Sequence, residues 1–127
     1  MSDAKSNYLE DAIIDHVLRN TALTSPTTVY LALYTSNPAE DNSGTEATGG
    51  SYARQATAFG APSNGVSTNS AEETFAAMPA GTFTHFGVLD ALTVGNLLYF
   101  GELDESITVN AGDDIVFPIG SLSIQEK

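Results

Sequence analysis

The last third of the chain, Gly81 to Ile124, consists of short apolar runs separated by glycine, asparagine and paired acids: GTFTHFGVLDALTVGNLLYFGELDESITVNAGDDIVFPIGSLSI. The runs Thr82–Leu89, Asn96–Phe100, Ser106–Asn110 and Ile115–Ile119 recur at the spacing of roughly 8–12 residues expected of strands in a sandwich or barrel. Gly95-Asn96 and Ala111-Gly112-Asp113 supply hairpin turns between them. This pattern is an antiparallel meander, and it leaves no room for the crossover helices that a parallel sheet requires.

Upstream, Thr28–Tyr34 (TVYLALY) sets Val29, Leu31 and Leu33 on one face and Tyr30, Ala32 and Tyr34 on the other. Both faces are apolar, so this strand is expected inside a sandwich or under a helix. Ser51–Phe59, Val66–Asn69 and Glu73–Met78, the last ended by Pro79, read as further strands. The predicted fold class is mainly β: a single-domain antiparallel β-sandwich of about seven or eight strands with one N-terminal amphipathic helix. That helix is predicted over about residues 7–20, with Asn7 as N-cap and Glu10 in a capping-box-like position. Leu9, Ile13 and Val17 form its apolar stripe, flanked by Ile14 and Leu18. A helix of this length needs a surface to dock on, either the sheet or another subunit. The chain thus divides into an arm, residues 1–7, and one domain, residues 8–127.

At 127 residues and 42% apolar composition the chain can bury a core without staples, and cysteine is absent, which excludes disulfides and thiolate metal sites. No run approaches the length of a membrane-spanning helix, and the N-terminus lacks a leader pattern, so a soluble protein made in a cytosol is expected. Sixteen acids oppose Lys5, Arg19, Arg54 and Lys127, for a formal charge of −12. Direct nucleic-acid binding needs a basic patch that this chain cannot assemble. The acidity fits either solubility or complementarity to a basic partner.

Enzymatic readings fail on residue supply. His16 and His85 are the only histidines, no Gly-x-Ser-x-Gly elbow is present, and no ligand motif for zinc exists. Asp104-Glu105 and Asp113-Asp114 fall at predicted turns, where Asp commonly accepts backbone hydrogen bonds. Calcium binding or glycoside hydrolysis by these pairs would need a DxDxDG loop or an aromatic sugar platform, and the chain has neither that loop nor a tryptophan. Phosphate-cradling loops are also missing. No enzymatic activity and no cofactor are expected.

Four strings remain: DHVLRNTALTSPTTVYLALYTSNP, GGSYARQATAF, GTFTHFGVLDALTVGNLLYFGEL and ITVNAGDDIVFPIGSLSI. In combination they resemble a family of small tailed-bacteriophage virion proteins, commonly labelled tail fibre proteins, over about Tyr8 to Ile124. The resemblance implies a β-rich structural component of the virion, made in the host bacterial cytoplasm. The chain has no shaft-like repeat, which favours a capsid decoration or cement protein bound to the major capsid protein. A tail or tail-fibre-associated protein in contact with tail proteins or a receptor stays open, as does a carbohydrate-binding module. A dimer or trimer is expected from the supply of aromatics. The expected contacts are the arm, Met1, Ser2, Asp3, Ala4 and Lys5, and the acidic loop Glu40, Asp41, Asn42, Ser43, Gly44, Thr45 and Glu46.

Overall fold

The computed structural model describes residues 4–126. Strand β1 (Ala4–Lys5) and helix α1 (Asn7–Leu18) are followed by β2 (Val29–Tyr34), β3 (Gln55–Thr57), β4 (Val66–Thr68) and β5 (Glu73–Phe75). The meander supplies β6 (Gly81–Leu89), β7 (Leu97–Val109), β8 (Ile115–Phe117) and β9 (Ser123–Gln125). One antiparallel sheet has the order β1-β7-β6-β2-β3, and two ribbons, β4-β9 and β5-β8, form the opposing layer. The architecture is mainly β, as the sequence pattern implies, with the second layer split into two ribbons.

The main core lies between the layers. Leu31, Leu33, Phe83, Phe86 and Val88 from the large sheet meet Phe75, Ile115, Phe117 and Ile124 from the ribbons. A smaller apolar cluster, Ala32, Tyr34, Leu89, Leu97 and Phe100, occupies the other face of the large sheet. The alternation in β2 therefore divides its residues between two buried faces. Gly87 lies on β6 where a methyl group would come within 2.9 Å of both Leu97 and Tyr34, so the second face closes only around a glycine.

Two irregularities in the β6–β7 ladder depart from the sequence reading. Val88 pairs with Tyr99 but Leu89 with Leu97, leaving Leu98 as an extra residue. This bulge lets Leu97 join the second cluster while Tyr99 packs against the main core, although residues two apart in a regular strand share a face. Further along, Phe83 pairs with Ile107 and His85 with Glu102, so Leu103–Ser106 stand against Thr84 alone. The predicted break at Asp104-Glu105 is thus a bulge within one continuous strand, and Asn96–Phe100 and Ser106–Asn110 are its two halves rather than separate strands. Asp113 does mark a turn, with its carboxylate accepting from Asn110 N at 2.9 Å. Ser51–Phe59 contributes strand only at Gln55–Thr57.

The helix is corrected at both ends. Its N-cap is Ser6, not Asn7: Ser6 Oγ accepts from Leu9 N at 3.1 Å and donates to Leu97 O, while Ser6 N donates to Leu98 O at 2.9 Å. One serine thereby caps the helix and ties it to β7. The helix stops at Leu18, where Arg19 N donates to Asp15 O, before Asn20 in the left-handed region. Leu9 is buried, but Ile14, Val17 and Leu18 are 52%, 68% and 76% exposed. The apolar stripe is buried at Leu9 and half-buried at Ile13, and its last turn stands clear of the sheet. No helix of the described residues is long and apolar enough to cross a membrane.

Replacing Phe83 by alanine should lower the unfolding free energy by about 3–5 kcal/mol, because the ring is fully buried between the layers. The half-exposed Val116→Ala on β8 should stay within about 1 kcal/mol of the parent. Urea denaturation of both variants measures the contrast.

Candidate functional site

The acidic, glycine-rich stretch after β2 folds into a closed loop. Thr35 N donates to Thr45 O at 2.9 Å and Ala47 N to Leu33 O at 2.8 Å, with a bridge between Tyr34 and Glu46. Inside the loop Ser43 N donates to the Asp41 carboxylate and Gly44 N to Pro38 O. A Cβ at Gly44 would overlap Asn37 O, so only glycine fits there. The Ser43 bond holds the Asp41 carboxyl below its usual range. Tyr34 Oη donates to Asn42 Oδ1 at 2.9 Å, pinning the loop over the second apolar cluster.

One arginine closes this side of the sheet. Arg54 Nε and Nη2 donate to Glu46 Oε2 and Oε1, both at 2.9 Å, a bidentate pair in which the arginine side chain is 9% exposed. Its Nη1 donates to Ala91 O at 2.9 Å and Val94 O at 2.7 Å, joining the loop to the β6–β7 turn. Tyr52 Oη donates to Glu46 Oε2 at 2.7 Å and accepts from Leu33 N at 3.1 Å. Its ring stacks on Phe75, which meets Phe117 edge-on, so the polar clamp is seated directly on the main core. The Glu46 hydrogen bonds raise the Arg54 pKa. Burial, reinforced by the Glu46 charge, pushes the Tyr34 phenol up to about 12, and burial with the Glu46 hydrogen bond raises Tyr52 as well.

Beside the clamp, Asn7 N donates to Glu40 O at 2.9 Å, bringing the loop onto the start of α1. A groove of about 370 Å³ runs between them, lined by Asn7, Tyr8, Glu40, Asp41, Gly95 and Asn96 among others. Partial desolvation and the facing Glu40 carboxyl raise the Glu10 pKa. At the opposite edge Lys5 Nζ donates to Glu126 Oε1 at 2.7 Å, and Tyr99 Oη donates to Glu126 Oε2. Burial raises the Tyr99 phenol; at Glu126 the same burial is outweighed by the Lys5 and Tyr99 hydrogen bonds, and the carboxyl titrates below its usual range.

The expected contact residues are therefore not alike. Ala4 and Lys5 form an edge strand on the chain's own β7, paired with Phe100 and Tyr99. Met1, Ser2 and Asp3 lie outside the described residues. Glu40 and Asp41 face solvent, whereas Glu46 is committed to Arg54. His16 Nδ1 accepts from Leu23 N and His85 Nδ1 contacts Thr84 Oγ1. Asp114 accepts from Ala77 N at 2.9 Å. Among the described residues no three His, Asp or Glu side chains gather as a metal-holding group. The role of Arg54 has one signal in the sequence: it is the only lysine or arginine between Arg19 and Lys127.

A family model described as podophage GP4 fiber I protein gp80 matches residues 4–125, nearly the whole described chain. No curated protein matches it.

Arg54→Ala should cost about 3 kcal/mol, since it strands the Glu46 carboxylate and two carbonyls, and Arg54→Lys should recover less than half of that because an ammonium cannot form the fork. Thermal or urea unfolding measures both. The raised Tyr34 pKa carries a definite sign. Between the ordinary value of 10 and the folded value of about 12 the unfolded chain has released a proton that the folded chain keeps. Stability should fall as pH rises through that window, and Tyr34→Phe should make the fall shallower.

Proposed function

We propose, from the premise that the chain belongs to the podophage GP4 fiber I protein gp80 family, that this structural component of a phage virion is a compact, fibre-associated attachment domain of the tail. The match along residues 4–125 carries the reading: it spans both sheet layers, the helix and the clamped loop, so the family description applies to the folded domain as a whole. The chemistry of the surface agrees. Both histidines have local partners, and the polar residues that converge at Arg54 are spent on each other, as in a scaffold rather than a reaction site.

A second reading, capsid decoration, is favoured by one specific observation: the domain is compact and lacks any shaft-like repeat. A decoration protein works by repetition. Each copy adds an interface whose apolar part leaves water, and many symmetry-related copies together resist the pressure of packaged DNA. Major capsid protein would then be the partner in place of tail proteins, and in either reading homo-oligomerisation would multiply the contacts. A carbohydrate-binding role is the weakest reading, because Tyr34 and Tyr52 are spent on Asn42 and Glu46, which leaves Tyr8 as the one exposed tyrosine, and the chain has no tryptophan to join it.

Single-particle imaging of virions, with an antibody fragment against this chain as a marker, tests the proposal. Label at the tail fibres is the expected result. Label over the whole shell would replace it with the decoration reading, and virions without label would end both.

A further inference from the structure

We infer that the β6–β7 tip and the acidic groove beside it form one protein-docking surface, whose partner presents an apolar socket with a lysine or arginine at its rim. The inference rests on the virion-attachment reading and specifies which residues attach and to what chemistry.

The tip is an apolar knob held rigid from three sides. Val94 is 83% exposed and Leu92 51% exposed, with no charged residue between Asp90 and Glu102. Val94 has φ +57°, a strained conformation for a β-branched residue that persists only where its surroundings impose it. Those surroundings are explicit. Arg54 grips the carbonyls of Ala91 and Val94. The Asp90 carboxylate accepts from Asn96 N at 2.7 Å and Asn96 Nδ2 at 3.1 Å. Gly95, at φ +73°, sits where a Cβ would come within 2.6 Å of Ala91 and Asp90. A surface loop whose only function was to reverse the chain would need neither an exposed valine in the left-handed region nor a nearly buried arginine to hold it. Preorganisation of this kind lowers the ordering cost of binding.

The groove begins at Gly95, the residue after Val94. The Glu40–Asn7 backbone bond holds Glu40 against Glu10 at the start of α1, with Asp41 alongside. The base nearest in sequence, Lys5, is already committed to Glu126. This is an acidic wall that the Lys5 charge offsets only in part, beside an apolar knob, and a cation delivered by the partner would neutralise it. Desolvation first, then the facing Glu40, raise the Glu10 carboxyl by more than the Lys5 charge lowers it. Charge also argues against a second copy as the occupant: each chain carries −12, and two such walls would repel.

The test uses virions grown without this chain and the purified full-length chain added back. Wild-type protein should bind them, with affinity falling several-fold between about 50 and about 500 mM NaCl as the charge contact is screened. Val94→Asp should weaken binding about tenfold or more, since it puts a charge into the socket. Aspartate accepts φ near +57° more readily than valine, so an unchanged melting temperature should accompany the loss. Glu40→Lys with Asp41→Lys should weaken binding to a similar degree and remove most of the salt dependence. Variants that bind as wild type would overturn the inference while leaving virion attachment standing. Self-association that Val94→Asp abolishes, with virion binding unaffected, would overturn it in favour of a second copy. Wild-type protein that fails to bind the virions would overturn the attachment reading itself.

Discussion

Strand β2 and the stretches of β6 and β7 level with it, Phe86–Leu89 and Leu97–Phe100, are apolar on both faces, and everything else in the fold answers to that. One face is covered in the ordinary way by two ribbons contributing phenylalanine, isoleucine and leucine. The other has only a helix turn, a glycine-rich loop and a hairpin turn to cover it, and these carry few apolar side chains. A cover so poor in hydrophobic residues cannot be held by burial alone. It is held by hydrogen bonds, charge-assisted where Glu46 meets Arg54 and Tyr52 on one side and neutral where Ser6 meets Leu97 O and Leu98 O on the other. Buried charged pairs contribute little net stability compared with apolar packing, but they fix geometry, and breaking one side is costly.

Much of this was legible from the residues. The alternation in TVYLALY announced a strand with two covered faces, and the glycine and asparagine at the β6–β7 turn announced a hairpin. Asp104 and Glu105 were correctly sensed as an interruption and wrongly given a turn, because a bulge and a turn share the same polar, strand-breaking composition. Which one forms depends on the register of the partner strand, which no local pattern encodes. The helix start slipped by one residue for a similar reason: Ser6 and Asn7 are both good caps, and the choice was made by Leu97 O and Leu98 O on β7, remote in sequence. The clamp was opaque because Glu46 and Arg54 are eight residues apart on segments with no regular period. The contact residues were legible only in part: the acidity of the loop pointed to Glu40 and Asp41, but nothing in the sequence distinguished them from Glu46, which is spent internally.

The molecule separates two uses of its acids. Glu46, Asp90, Asp113 and Asp114 accept hydrogen bonds within the fold and hold turns and loops in place. Glu40 and Asp41 line one groove, with Glu10 facing Glu40 beside it, and Asp41 serves both uses because it also accepts from Ser43 N. A structural protein of the virion needs both, a domain stiff enough to transmit load and a face with a defined sign. The docking knob at Leu92 and Val94 draws its stiffness from the same arginine that closes the sheet, so stability of the fold and presentation of the surface are linked through one side chain.

The shortage of basic residues has a consequence for proteolysis. Trypsin cleaves after lysine or arginine, and between residues 6 and 126 it has only Arg19 and Arg54 to choose from. Arg19 is exposed at the end of α1, while Arg54 is locked beneath the loop. Glycine-rich loops are ordinarily the first places a protease nicks. Here the long loop carries no tryptic bond of its own, and the bond at its far end is guarded by the interaction that closes it. A cut after Arg54 would therefore record the opening of the clamp, a built-in reporter of local unfolding that requires no label.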